Sequence, residues 1–422
     1  MKTLEQIAAE LQAYDPQAMS VSDVAAFLTQ LVVPVQQTLE LPLLQALGHV
    51  LARDVVSPLN VPPHDNSAMD GFAFDGSQLQ PDAELTLAVV GTALAGAAWQ
   101  GEVRPGQCVK IMTGAIMPAG LDTVVPQELV RVHASDGSAS SIRIAAGVLR
   151  AGDNRRLCGE DLQLGRAALQ KGELLTPARL GLAASLGLKT QTVWRPLRVA
   201  YFSTGDEILS HGEAPREGAV YDSNRYTLYG LLRQMGCEVI DMGVVGDDPA
   251  LLEAAFARAA EQADVVITSG GVSVGEADYT KAMMRKLGDV AFWRIAMRPG
   301  RPMAAGRIGN AVVFGLPGNP VAVMVTFLAF VRPALWQMMG ATMPAAPLLQ
   351  ARSTEAIRKK PGRTEYQRVW VSNAPDGSLQ VRTTGNQGSG VLRSMAQANG
   401  LLVLSHSQGN VAVGDLVEVM ML

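Results

Sequence analysis

Between Asp264 and Thr280 the chain reads DVVITSGGVSVGEADYT, an apolar run that breaks into a glycine-rich turn and then into acidic residues suited to a helix start. Val265, Val266 and Ile267 are consecutive β-branched residues, the pattern of a strand buried on both faces of a parallel sheet. Thr268, Ser269, Gly270 and Gly271 end it. Paired glycines permit a sharp turn that brings backbone N–H groups up to an anion, and a following helix adds the positive end of its dipole. Ligands of open α/β sheets sit at such carboxyl ends. A Walker-type loop is excluded, because Glu276 follows Gly275 where that motif needs lysine, and its charge would face the phosphate.

Three further loops repeat the arrangement. FSTGDEI places Ser203, Thr204 and Gly205 after a predicted strand, followed by the carboxylates Asp206 and Glu207. Asp222, Ser223 and Asn224 are N-cap residues for a helix from about Arg225. In GLPGNP, residues 315–320, Gly318 gives the turn, Asn319 caps and Pro320 takes the first helical position. MRPGRP adds Arg298 and Arg301, with Arg294 just upstream, and guanidinium forks match oxyanions geometrically. Strands at Leu197–Phe202, Glu238–Met242, Val265–Ile267 and Ala311–Phe314 alternate with helices at Tyr226–Met235, Ala250–Gln262 and Val321–Met339. That alternation predicts a parallel sheet with helices on both faces, which makes residues 196–345 an α/β ligand-binding domain.

Around it the texture changes. Val21–Leu31 and Leu41–Ala52 read as amphipathic helices, and Pro177–Gly187 returns to helix. Between Asp54 and Arg150 short β-branched segments (Leu85–Val90, Cys108–Met112, Ser141–Ile144) alternate with Gly and Pro, and SDGSASS reads as a turn. Beyond Pro344 the pattern is again β, at Tyr366–Val371, Leu379–Thr383, Leu401–Val403 and Leu416–Met420. The expected fold is multidomain α/β plus β. A helical or mixed N-terminal domain spans 1–53 and 151–195, a small β module is inserted at 54–150, the α/β domain follows, and a C-terminal β barrel occupies 346–422. A chain of 422 residues exceeds what one core usually organises, and 48% hydrophobic content supplies the cores.

Charge bounds the partners. With 35 Lys+Arg against 39 Asp+Glu the net charge is −4, which argues against nucleic acid and against a polybasic membrane surface. Cys108, Cys158 and Cys237 are odd in number and lack a CxxC, so neither a disulfide framework nor a thiolate zinc site is expected. The N-terminal segment lacks the long apolar core of a signal peptide, and the apolar stretch Val321–Phe330 is half a membrane span, so a cytoplasmic protein is expected. Asp206, Glu207, Asp247, Asp248 and Asp278 would repel a phosphate unless a divalent cation intervened. Mg²⁺, which takes oxygen ligands from carboxylates and substrate phosphates together, resolves the conflict, with Glu207, Asp247 and Asp278 as candidate ligands.

SGGVSVGEADYT, STGDE, the Asp222–Arg225 stretch, GLPGNP, and in the β module PPHDNSAMDGFA and IMTGAIMP resemble the molybdopterin molybdenumtransferase family, MoeA in bacteria and the E domain of gephyrin in animals. The likeness runs over nearly the whole chain, in the family's order. It implies Mg²⁺-dependent insertion of molybdate into adenylyl-molybdopterin with release of AMP, by a four-domain homodimer whose active site lies between subunits. Molybdopterin adenylyltransferase and other molybdenum-cofactor proteins are the implied partners. Carried over position by position, Ser269, Gly270, Gly271 and Ser273 would cradle phosphate or pterin, and Asp278 and Glu207 would be the principal acidic residues. Asp65, Ser67 and Thr113 of the β module, with Arg156 and Asp161, would line the cleft from the other side. The chain departs from many relatives in carrying arginine at 294, 298 and 301 where lysine is common, which keeps the charge and changes its geometry. Two other functions fit parts of the pattern: the adenylyltransferase of the preceding step, which resembles the α/β domain alone, and a non-catalytic scaffold of the gephyrin type.

Overall fold

The run at Val265 is an inner strand of a six-stranded sheet. The structure is a computed structural model that describes residues 2–11, 14–135, 138–271, 279–342 and 346–422. By contacts the chain forms two units, one of residues 1–53, 172–176 and 190–422, the other of residues 54–171 and 177–189.

In the first unit the sheet consists of β1 (Arg198–Thr204), β2 (Glu238–Val245), β3 (Val265–Ser269), β4 (Asp289–Arg294), β5 (Pro302–Ile308) and β6 (Ala311–Leu316), in the order β2-β1-β3-β6-β5-β4. The four expected strands are there and run parallel. The sheet is nevertheless mixed, because β4 and β5, which the sequence pattern does not single out, pair antiparallel at one edge. β5 reads PMAAGRI, poor in β-branched residues, and is held by its pairing with β6 across the short turn at Gly309–Asn310.

Helices cover both faces: α1 (Ser223–Gln234), α2 (Pro249–Gln262), α3 (Tyr279–Leu287) and the long helix α4 (Pro320–Met338). Val265 and Ile267 pack with Leu228, Leu232 and Val323, while Val266 points the other way to Leu252, Phe256 and Met284. Period-two alternation between two apolar layers is why this strand contains no polar position until Thr268. Each of these side chains contributes about 1.5–3 kcal/mol of burial. α4 is made of Pro320–Thr326, a π turn at Phe327–Val331 and Arg332–Met338. Its 19 residues are long and apolar enough to cross a membrane, but 67% of that window is buried within the protein, which makes it a core helix.

Val21–Leu31 is helical as expected, with Ser20 capping. Leu41–Ala52 is not a helix. Thr38–Pro42 is a strand paired antiparallel with Thr190–Trp194, a single 3₁₀ turn follows at Leu43–Ala46, and Val50 and Leu51 bridge to Leu174 and Val193. Pro42 interrupts the segment, and Leu44 stays 85% exposed, so the apparent apolar stripe buries only part of itself.

At the foot of β3, Asp264 receives Arg195 Nη1 at 2.7 Å and Nη2 at 2.9 Å, together with the Arg198 backbone N–H at 2.8 Å. Burial opposes its charge, but the Arg195 and Arg198 bonds outweigh it and hold the carboxyl below its usual 3.8. A depressed folded-state pKa contributes stability above the unfolded value, lost as pH falls through the folded one. Asp264→Asn is therefore expected to cost about 3 kcal/mol at pH 7 in denaturant unfolding, shrinking below pH 4 as the wild type loses the same pair. A pH-independent difference would assign the loss to packing instead.

The C-terminal strands are β7 (Leu348–Ser353), β8 (Thr364–Asn373), β9 (Leu379–Thr383), β10 (Gly400–Leu404) and β11 (Leu416–Met421). They pair β8–β9, β9–β7, β7–β11, β11–β10 and β10–β8, which closes the sheet on itself. Val369, Val381, Leu402 and Val419 fill the interior. Closure removes the free edges that an open five-stranded sheet would expose.

The second unit has a six-stranded sheet in the order Thr123–Pro126, Gly71–Phe74, Gln107–Ile111, Leu85–Ala93, Ser138–Ile144, Val130–Ser135. The three strand segments expected in this region lie within it, and the helix expected at Pro177 spans Pro177–Ser185. The expected turn SDGSASS includes Asp136 and Gly137, outside the described residues.

Candidate active site

β1, β3 and β6 end together in register, Ser203 beside Ser269 and Ser269 beside Leu316. The loops that leave them therefore share one edge. Gly270 and Gly271 turn away from β3 with φ of +94° and +61°, and the Gly270 N–H donates to the Leu316 carbonyl at 3.2 Å. A Cβ on Gly270 would lie 2.5 Å from the Thr204 carbonyl oxygen, and one on Gly271 would lie 2.2 Å from Thr280 Oγ1. Only glycine fits either place.

These glycines line an open cavity of about 650 Å³ together with Glu207, Gly318, Asn319, Arg298, Arg301 and, from loops of the C-terminal region, Arg363, Gly388 and Ser389. The RPGRP turn reaches it by leaving β4 and adding a short strand, Met297–Arg298, parallel to Thr364–Glu365 of β8. Pro320 holds the first position of α4, as the GLPGNP pattern predicts, but Asn319 makes no side-chain capping bond. The Ser389 carbonyl instead accepts the Val321 N–H at 3.1 Å, leaving the Asn319 side chain for the cavity it lines.

The charges here are unequally paired. Arg363 Nε lies 3.3 Å from Glu365 Oε1, whereas Arg298 and Arg301 have no ion-pair partner among the described residues. No described residue donates to the Glu207 carboxylate, which folds against Gly205, where a Cβ would lie 2.5 Å from Oε2. Asp206 Oδ1 accepts the Asp247 N–H at 3.0 Å, so these two acids form a neighbouring pair. Arg294 does not line the large cavity. With Gln17, Arg301 and Arg363 it surrounds an adjoining one of about 270 Å³.

Behind the cavity, Thr204, Asp222, Asn224 and Ser269 are buried. Asp222 caps α1 through the Arg225 N–H at 3.0 Å, and Asn224 Nδ2 donates to the Gly318 carbonyl at 2.7 Å. Ser273 and Asp278 lie outside the described residues.

The predicted residues of the second unit gather in a loop cluster of their own. Asp65 accepts the Cys158 N–H at 2.7 Å, and its other oxygen is 3.7 Å from Arg155. Asn66–Ser67 pairs with Arg155–Arg156, the Ser67 hydroxyl donates to the Met69 carbonyl at 2.6 Å, and the Asp161 N–H donates to Val61. Thr113 donates both its N–H and its hydroxyl to Asp70 Oδ1 at 2.7 Å, which holds that carboxyl low.

Sequence reasoning missed Arg363, Gly388 and Ser389 of the barrel and Asp70 of the second unit. PGRTEY and NQGSG, glycine turns beside a cation and a hydroxyl, were the available signals for the first three.

Comparison with known proteins extends over the same segments. Residues 19–187 match the profile described as the MoeA N-terminal region (domain I and II), 200–337 a probable molybdopterin binding domain, and 350–422 the MoeA C-terminal region (domain IV). A molybdopterin molybdenumtransferase of Haemophilus influenzae is 42% identical over 384 residues, covering 91% of this chain and 93% of that protein. Molybdopterin molybdenumtransferase 2 of Mycobacterium tuberculosis is 38% identical over 90% of this chain and 93% of its own length. Among solved structures, the molybdopterin biosynthesis MoeA protein of Pyrococcus horikoshii superposes with a TM-score of 0.81 at 27% identity, covering 96% of this chain and 100% of that one.

Proposed function

The chain belongs to the MoeA molybdopterin molybdenumtransferase family, and from that premise we propose that it inserts molybdate into adenylyl-molybdopterin with release of AMP. Its place in molybdenum cofactor biosynthesis follows from the family. The specific reaction is supported by one observation above the others: a glycine turn whose Gly271 N–H has no described acceptor, two arginines without ion-pair partners among the described residues and a lone carboxylate line a single cavity at the carboxyl ends of β3 and β6.

In this reading the Gly270–Gly271 turn, through the Gly271 N–H, and the Asn319 side chain bind the phosphorylated pterin, as N–H groups at strand ends bind anions, while the Gly270 N–H stays on the Leu316 carbonyl and fixes the turn. Arg298 and Arg301, with Arg363, hold the molybdate oxyanion while its oxygens are replaced by dithiolene sulfurs. The departing oxygens need protons, and Glu207, which lines the cavity, is the side chain this reading assigns to hold and pass one. Glu207 and Asp247, with Asp278, are the ligands this reading gives to Mg²⁺: oxygen ligands suit that ion and the Glu207 oxygens have no described donor, while no three His, Cys, Asp or Glu side chains gather as a metal site among the described residues. Bound there, Mg²⁺ would neutralise phosphate charge. A homodimer with an intersubunit site, the four-domain division, association with molybdopterin adenylyltransferase and a cytoplasmic location belong to the same proposal.

Purified protein given adenylyl-molybdopterin, molybdate and Mg²⁺ is expected to release AMP and form molybdenum cofactor, and to stop when Mg²⁺ is chelated. Adenylation of molybdopterin by ATP in place of this reaction would make it the enzyme of the preceding step. Binding of adenylyl-molybdopterin without turnover would make it a scaffold.

A further inference from the structure

The hydroxyl of Tyr201 lies at the buried end of β1, 2.6 Å from Ser203 Oγ and 2.8 Å from Ser269 Oγ, and the two serines are 3.3 Å apart. The cluster follows from the sheet. Ser203 and Ser269 are register partners on β1 and β3, and Tyr201, two residues before Ser203, shares its face. Asn224, in the first turn of α1, extends the network: its Nδ2 is 3.5 Å from Ser269 Oγ and 2.7 Å from the Gly318 carbonyl. The carbonyl fixes the amide's orientation, because the flipped side chain would oppose two oxygens.

Tyr201, Ser203, Ser269 and Asn224 are all more than nine-tenths buried. Burial, and then the charge of Asp222, pushes the phenol up, so it stays neutral and able to donate. The network joins four segments: the ends of β1 and β3, the start of α1 and the GLPGNP turn. The turns that follow β3 and β6 line the cavity through Gly270, Gly271, Gly318 and Asn319. The Tyr201 ring packs in the apolar layer with Leu228 and Leu232. A phenylalanine would fill that space equally, so packing alone does not call for a hydroxyl here. Hydrogen-bond chains in a dry interior strengthen one another, and losing a central member loosens its neighbours.

We propose that Tyr201 is a positioning residue whose hydroxyl, through Ser269 and Asn224, holds the Gly270–Gly271 and Gly318–Asn319 turns at one mutual spacing and thereby sets the cavity's affinity for the phosphorylated pterin. The ligand half rests on the function proposed above; the spacing half does not.

Tyr201→Phe in the full chain tests both. Hydrogen exchange on the free protein should accelerate about tenfold at the bonded amides of residues 203, 204, 269, 270, 316 and 321 together, while residues 311–314 on the same sheet stay unchanged. The Gly270 amide, bonded to Leu316, is the direct reporter. Acceleration confined to residues 201–203 would overturn the positioning role, whatever the ligand. In steady state the half-saturating adenylyl-molybdopterin concentration should rise about fivefold, with kcat and the molybdate dependence held. A kcat loss at unchanged half-saturation would overturn the affinity half. Asn224→Ala should give the same exchange pattern, and the double variant should add little to either single one. If the wild type itself shows no turnover, the proposed reaction fails, and the exchange experiment still decides the spacing.

Discussion

Gly270→Ala is expected to lower the AMP-release rate by more than about a hundredfold while leaving a folded chain. Two penalties act at this residue. Its φ of +94° is a conformation that costs an L-residue about 1–3 kcal/mol. The new methyl would also lie 2.5 Å from the Thr204 carbonyl oxygen, backbone of an inner strand, and 2.9 Å from Thr204 Oγ1. Neither neighbour swings away as the end of a flexible side chain would. The turn itself must move, and it carries the Gly271 N–H assigned to the ligand's phosphate and the Gly270–Leu316 bond that holds it in place. A shift of about 1 Å at such donors suffices for the loss stated. Gly181→Ala separates this from a generic glycine effect. Gly181 lies within the helix Pro177–Ser185, has no positive φ, and leaves open space within 4 Å of where a Cβ would sit. Its replacement should leave the rate unchanged and stabilise the chain slightly. If Gly270→Ala turns over within threefold of wild type, the turn is not the cradle.

How far the site was legible follows from the range of the interactions that build it. Local rules carried the strand at Val265, the cap at Asp222 and the first helical position at Pro320, because each depends on a few adjacent residues. The same local signal misleads at Leu41–Ala52, where leucines at helical spacing sit in a strand and turn whose partners, Thr190–Trp194, are far along the chain. It fails again at Asn319, the residue type that caps helices most readily, because a barrel carbonyl at Ser389 takes an N–H of α4. The barrel's share of the cavity was illegible for that reason. Arg363 and Ser389 come near Gly270 through the Met297–Arg298 pairing with β8 and the Val321 bond to Ser389, and contacts so short leave no periodic trace. Asp65 shows the limit of the family likeness taken alone: the resemblance gives it a place in the cleft, and the structure adds that its carboxylate accepts the Cys158 N–H.

Arg298→Ala is expected to raise the molybdate concentration for half-maximal rate about thirtyfold and that for adenylyl-molybdopterin less than threefold. Arg298 borders both the large cavity and an adjoining one of about 260 Å³, in which Arg368 is fully buried. Burial, reinforced by the charge of Arg298, pushes the Arg368 guanidinium down to about 10, so the two cations are close enough to repel. Arg368 spends its donors on neutral oxygens, those of Ser394, Asn386 and Gly388, and Glu365 is taken by Arg363. No protein anion among the described residues pairs with Arg298. A doubly charged oxyanion beside it would relieve the repulsion and gain charge-assisted bonds worth about 1.5–3 kcal/mol, a range that contains the roughly 2 kcal/mol of a thirtyfold effect. Because the side chain is exposed in the free protein, its removal should leave the unfolding midpoint within about a degree. Arg298→Lys keeps the charge and loses the fork, so it should fall between, near threefold. Raising the ionic strength should weaken molybdate use by the wild type more than by Arg298→Ala, since the variant has lost one of the charges being screened. An equal rise for both substrates would move Arg298 to the pterin's phosphate, and an unchanged molybdate dependence would leave the RPGRP turn a structural link between β4 and β8.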